Sequence, residues 1–280
     1  MKKYICFFAF LACLGLLLGS SVVDPYRDVP LQIIFLDVGQ GDAVLLRTKG
    51  GNVLIDAGTE ASEELLCLRL ESLGVKSLSL AVFTHFDEDH IGGADGVLRR
   101  FPTERIWVSG ATSDNEPARR LLLAAESTDA KVDRVFSGAN FMLGELYLFV
   151  MAPETCDSQA GNEGSLIVKM QFGSVSALFM GDAGAEEEAR LVYAYGRTQL
   201  SVDLCKIGHH GSNTSTSELF LQAVQPRHAV ISCGADNSYG HPTGEILTRL
   251  RDFGVTVLRT DLDGEIFFLC DGETLFVYDN

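Results

Sequence analysis

The sequence has no Cys-x-x-Cys pair, no low-complexity tract and no internal repeat beyond a two-half character. The first absence leaves no paired thiolates for a metal site or a redox dithiol. Basic residues are scarce as well: 22 Lys and Arg against 38 Asp and Glu give a formal charge of −16. That balance argues against the extended basic face that carries non-specific binding to DNA or RNA. A polyanionic substrate would have to be drawn in by metal cations and local dipoles, while the acidity itself suits solubility outside a cell.

What is present is ordinary globular material, 46% hydrophobic and 21% charged over 280 residues, enough for one large α/β domain or two fused halves. Lys2-Lys3, an apolar run at 4–18 and Gly19-Ser20-Ser21 have the basic, hydrophobic and small parts of a secretory signal. The competing reading of residues 1–23 is an uncleaved membrane anchor, and in both readings the folded part is exported. Residues 24–30 form a linker with proline at both ends, and 31–280 form the folded domain. Of seven cysteines, Cys6 and Cys13 fall in the leader. Cys67, Cys156, Cys205, Cys233 and Cys270 read mostly as small buried hydrophobes, although an exported chain would permit one disulfide.

Apolar runs at 31–36, 43–47 and 52–55 are split by Gly39-Gln40-Gly41-Asp42 and Lys49-Gly50-Gly51-Asn52, a β-meander. Thr59 is placed to cap a helix over 62–73 that buries Leu65, Leu66, Leu68, Leu70 and Leu73, and Gly74 stops it. Helices follow at 93–101, 116–126, 185–195, 216–224 and 243–253. Strands are expected at 80–83, 105–108, 131–136, 145–152, 165–172, 175–180, 202–207, 228–232, 255–258, 265–269 and 274–278. Two mixed sheets packed face to face, with helices on both outer sides, bury this pattern best: an α/β (α+β) chain in a four-layer αββα sandwich.

Residues 81–93 organise the rest. A buried strand is broken by His85, Asp87, Asp89 and His90, then Gly92-Gly93. Asp89 and His90 are adjacent and must diverge, so one short loop can offer nitrogen and oxygen to two neighbouring cations. A solvated acidic turn would explain the carboxylates, but not a histidine at each end of them.

Later strands repeat the logic. Asp182 ends an apolar run behind Gly181, as a helix N-cap or as a carboxylate giving one oxygen to each of two metals. In Lys206-Ile207-Gly208-His209-His210-Gly211-Ser212, His210 is the terminal ligand of the second cation and His209 a neighbouring or leaving-group contact. Ser215-x-x-Glu218 has the form of a capping box, so Ser212, Asn213 and free N–H groups of a helix start are expected to hold an anion. His241 is either exposed or a substrate contact, His228 a structural histidine, and Asn162 a turn residue, with substrate contact the minority reading.

Together these residues resemble the metallo-β-lactamase superfamily, and within it the hydrolase domain of ComEC-type competence proteins. The resemblance runs through Phe35 to Ala43, Leu54 to Gly58, Thr84 to Gly93, Asn162 to Leu166, Gly181-Asp182, His209 to Ser212 and Tyr239 to Pro242. It implies an αββα sandwich with a dinuclear site in the groove between the sheets. By position, His85 and Asp87 would serve the first metal, Asp89, His90 and His210 the second, and Asp182 would bridge. Asp87 and Asn162 stand where most of the superfamily has histidine, as they do in the ComEC-type subgroup. The first site is thereby rich in oxygen, which shifts it from zinc towards manganese or magnesium, or leaves it weak.

The expected activity is metal-dependent hydrolysis of phosphodiesters, with two divalent ions (zinc or manganese) activating water, and Asp89 orienting the resulting hydroxide. The leaving oxygen would take its proton from His209, His241 or water, and Asn162, Ser212, Asn213 and His241 would contact substrate. A lactone or β-lactam hydrolase and a non-catalytic binding module on the same fold are the alternatives. Partners follow: a small or polymeric phosphodiester, nucleic acid disfavoured by charge, and a membrane only through the leader.

Overall fold

The computed structural model describes residues 29–154 and 161–278. The leader at 1–23, linker residues 24–28 and Cys6, Cys13 and Cys156 lie outside the described residues.

β1 (Leu31–Phe35), β2 (Val44–Thr48) and β3 (Gly51–Ile55) form the expected antiparallel meander. β4 (Leu80–Phe83), β5 (Arg105–Ser109) and β6 (Lys131–Val135) add in parallel. β7 (Asn140–Leu143), β8 (Leu146–Ala152), β9 (Ile167–Phe172), β10 (Val175–Phe179), β11 (Leu204–Lys206), β12 (His228–Ile231) and β13 (Thr256–Arg259) build a second sheet. β14 (Ile266–Cys270) and β15 (Leu275–Tyr278) return to the first. The orders are β15-β14-β1-β2-β3-β4-β5-β6 and β13-β12-β11-β10-β9-β8-β7.

Both faces of these sheets are covered. In β1 every residue is buried: Leu31, Ile33 and Phe35 enter the core between the sheets, while Ile34 points into the outer core. The outer core of the first sheet is closed by α1 (Glu63–Ser72), α3 (Ala94–Arg100) and α4 (Glu116–Glu126), with α2 (Glu88–Ile91) preceding α3. The second sheet is covered by α5 (Ala185–Leu200), α6 (Glu218–Val224) and α7 (Gly244–Asp252) through Leu191, Phe220 and Leu250. α8 (Thr260–Asp263) is a short turn before β14. The result is the four-layer αββα sandwich. Each buried Leu, Ile or Phe in its cores contributes about 1.5–3 kcal/mol relative to exposure.

Several local expectations are corrected. Leu65 and Leu68 are exposed, because only Leu66, Cys67 and Leu70 fall on the face of α1 that meets the sheet. The helix at 216–224 begins at Glu218 and is capped by Ser217, whose Oγ accepts from Phe220 N. Ser215 forms no capping box: its Oγ donates to Gly208 O at 2.8 Å. β7 was not expected: its apolar run, Phe141 to Leu143, is short, and its exposure alternates at a sheet edge. Cys67, Cys205, Cys233 and Cys270 are buried and free.

Candidate metal centre

The carboxyl ends of β3, β4, β10 and β11 meet at one end of the sandwich. Thr84 and His85 follow β4, and the turn α2 then carries Asp89 and His90, whose side chains diverge by about 100° as adjacent helical residues do. Asp182 follows β10 without capping α5, whose N-cap is Gly184, which removes the capping alternative. After β11, His209 and His210 both take left-handed backbone conformations, φ 51° and 52°. Such conformations cost of order 1–3 kcal/mol each in residues with a Cβ, and here they turn two consecutive imidazoles.

Asp182 is the centre of the cluster. Its Oδ1 lies 3.1 Å from His90 Nε2, and its Oδ2 lies 3.6 Å from His210 Nε2, 3.9 Å from His209 Nε2 and 4.0 Å from His85 Nε2. Asp89 Oδ2 is 3.1 Å from His210 Nε2, and Asp87 Oδ2 is 3.7 Å from His85 Nε2. Asp89, His90, Asp182 and His210 each offer a ligand atom, all within 4.8 Å of one another.

The Nδ1 atoms explain which nitrogen faces the cleft. His90 Nδ1 donates to Asp56 Oδ2 at 2.8 Å, and His210 Nδ1 donates to Ser232 O at 2.9 Å. The Thr84 hydroxyl donates to Asp56 Oδ2, so His85 Nδ1, at 3.1 Å, donates to that hydroxyl. In all three the Nε2 lone pair is left facing the cluster, the arrangement of a metal-binding histidine.

These residues fit divalent cations. His85 Nε2, His90 Nε2 and Asp182 Oδ1 are buried without a hydrogen-bond partner, and the 3.1 Å approach of the last two lacks hydrogen-bond alignment. Each such orphan costs about 1–3 kcal/mol, so their convergence points to a ligand. The cluster gathers the carboxylates of Asp42, Asp56, Asp87, Asp89 and Asp182 and, among the described residues, one lysine, Lys206, which pairs with Asp42. With neutral histidines that is a formal charge of about −4, which two divalent cations cancel.

Electrostatics without ions are correspondingly perturbed. Burial drives the Asp182 carboxyl up, but His90 and His210 hold it well below its usual range. Burial likewise opposes the shift of Asp89, yet the hydrogen bond from His210 brings it to about 2. Burial would lower His90, but Asp182, Asp42 and Asp56 hold it well above its ordinary value, and Asp182 and Asp89 raise His210 against the same burial. His209 and His241 are lowered by burial.

The cleft mouth is lined by Gln40, Asn162, Tyr239 and His241. Asn162 Nδ2 sits 3.3 Å from His209 Nε2, and the exposed Tyr239 ring stacks on His241 at 5.8 Å between centroids. His228 lies away from the cleft, its ring edge-on to Phe268.

Ser212 and Asn213 do not line the cleft. Ser212 is buried with its Oγ accepting from Thr214, and Asn213 is exposed. The expected anion cradle is absent here because the Glu188 carboxylate occupies the backbone N–H groups of Thr216 and Ser217. The residues to which sequence reasoning gave no role are Asp42, Asp56, Thr84 and Lys206. For Asp56, Thr84 and Lys206 the available signal was a charged or polar residue at the end of an apolar strand, and Asp42 stands just before β2.

A family model described as "Metallo-beta-lactamase superfamily" matches residues 36–145. The chain is 31% identical to ComE operon protein 3 of Bacillus subtilis over 253 residues, 84% of this chain and 32% of that protein. It is 35% identical to competence protein ComA of Neisseria gonorrhoeae over 233 residues, 83% of this chain and 31% of that protein. The chain thus spans about a third of the length of these relatives. The crystal structure of the metallo-β-lactamase fold protein YhfI from Bacillus subtilis superposes with a TM-score of 0.53 at 12% identity, over 82% of this chain and 96% of that one, a likeness of fold.

The sandwich, its ligand cluster and these matches define a metallo-β-lactamase superfamily protein of hydrolase type. Within that superfamily the chain is similar to ComEC-type competence proteins over about a third of their length.

Proposed function

We propose that the protein hydrolyses phosphodiesters at a dinuclear metal centre. Asp89, His90, His210 and one Asp182 oxygen would hold one ion, and His85, Asp87 and the other Asp182 oxygen the second. Bound divalent ions lower the pKa of a coordinated water towards neutrality and draw negative charge from a phosphoryl oxygen. The observation that carries the reading is the convergence of orphaned, buried ligand atoms on both oxygens of Asp182.

The chain's own groups supply the rest. Asp89, a carboxylate at the ion beside His210, accepts a hydrogen bond from the attacking water and orients it. His241, at the mouth and beside His209, is placed to give a proton to the leaving oxygen. Gln40 and Asn162 offer amide contacts to the non-reacting part of the substrate. The oxygen-rich first site favours manganese or magnesium and phosphate chemistry over a tri-histidine zinc site.

The names of the relatives, competence and recombination proteins, make a nucleic-acid strand one candidate polymer, against which the −16 charge weighs. In this reading residues 31–280 are the hydrolase unit and residues 1–23 direct its export. The test is a screen of metal-loaded protein on bis(p-nitrophenyl) phosphate, nucleic acid and choline phosphodiesters beside a chromogenic cephalosporin and a lactone panel. Cleavage confined to the last two would replace the phosphodiesterase reading.

A further inference from the structure

The first site as assembled above is short of nitrogen. His85 is its one imidazole, and Asn162 lines the cleft beside it. His209 Nε2 is 3.9 Å from Asp182 Oδ2, an oxygen it shares with His85 Nε2 at 4.0 Å and with His210 Nε2 at 3.6 Å. Atoms bound to one ion at 2.0–2.2 Å stand about 3–4.4 Å apart, from a tetrahedral edge to an octahedral diagonal. The His85–Asp87 separation of 3.7 Å falls in the same range.

The tautomer of His209 is fixed from behind. Thr214 Oγ1 donates its single proton to Ser212 Oγ at 3.0 Å, so at its 3.0 Å contact with His209 Nδ1 the hydroxyl accepts. Nδ1 therefore carries the ring proton and Nε2 presents a lone pair, to which Asn162 Nδ2 donates at 3.3 Å, a bond that a cation at Nε2 would replace. A neutral imidazole so held has no Nε2 proton to give a leaving group, but it has what a cation needs. His85, His90 and His210 are oriented by the same device. The left-handed backbone at His209, φ 51° and ψ 43°, is the strained conformation in which this imidazole is held.

We propose that His209 Nε2 is the third protein ligand of the first cation, completing His85, Asp87 and Asp182, and that Thr214 is the positioning residue that sets its tautomer. The assignment rests on the dinuclear reading above, and it leaves His241 as the histidine free to protonate the leaving group.

Chelator-stripped full chain is titrated with Mn²⁺ by calorimetry, with bound metal counted by elemental analysis and folding checked by circular dichroism. Wild type is expected to bind about two ions, and His209→Ala about one, with the tighter site intact. Thr214→Val keeps the ring and is expected to bind both ions, the weaker one about 10- to 100-fold less tightly, and it carries the test if His209→Ala does not fold. Two ions bound by wild type and, with unchanged affinity, by both variants would overturn the assignment while leaving the dinuclear reading in place. A wild type that binds one ion or none overturns both.

Discussion

Lys206 and Asp42 form an ion pair buried beneath the candidate ligand cluster, each about 2% exposed. The ammonium also donates to Gly181 O at 3.2 Å, one residue from Asp182. Burial would lower the Lys206 pKa, but Asp42 and Asp182 raise it, so the lysine stays charged. Because Lys206 ends β11 and Asp42 precedes β2, the pair ties one sheet to the other under the site.

Removing one partner strands the other. Lys206→Met is expected to cost about 3–5 kcal/mol in urea denaturation of metal-free protein, because Asp42 is left charged and unpaired. A loss below about 1 kcal/mol would show that the pair carries no such role.

Glu188 makes a second, independent test of the fold behind the site. Burial raises its carboxyl, and the N–H groups of Thr216 and Ser217 bond to it. Glu188→Ala orphans both donors and is expected to cost about 1–3 kcal/mol each without changing metal stoichiometry. Loss of a metal ion in this variant would place Glu188 in the centre itself.

How much of this the sequence disclosed depends on the range of the contact. His85, Asp182 and His210 are legible because each comes within a few residues of the end of a buried strand, and Asp87, Asp89 and His90 because they share one short segment with His85. Asp42, Asp56 and Lys206 sit at strand ends too, but their roles need partners from other strands, which periodicity does not name. The choice between Ser215 and Ser217 as N-cap was decided by Glu188, 29 residues before Ser217. Leu65 and Leu68 are exposed for a simpler reason: the four leucines of α1, with Leu73 at its C-cap, span more than the one stripe that meets the sheet.

The pH response has a definite sign. Without metal, the raised His90 and His210 contribute stability that is full below about pH 6.5 and is lost as pH rises through their raised folded values. The lowered Asp182 and Asp89 contribute stability present above about pH 4 and lost as pH falls, for Asp89 through about 2. Metal-free protein should therefore melt lower at about pH 9 than at about pH 6, while metal affinity rises over the same interval as the imidazoles lose protons. Melting that instead rises with pH in the metal-free protein would contradict this assignment of charge.

His241→Ala should leave the metal count unchanged. Its kcat on a phosphodiester with an alkyl leaving group should fall about 10²- to 10⁴-fold, and far less with p-nitrophenolate, which needs no proton. Equal losses on both substrates would remove His241 from the acid role.

The most direct test of the central claim is metal content by elemental analysis of protein purified without chelator, beside Asp182→Ala and His210→Ala. The account predicts about two equivalents of manganese or zinc in the wild type and loss of metal in both variants, the greater loss at the bridging aspartate. Near-zero metal that added zinc or manganese does not restore would contradict it, and leave the fold as a binding module.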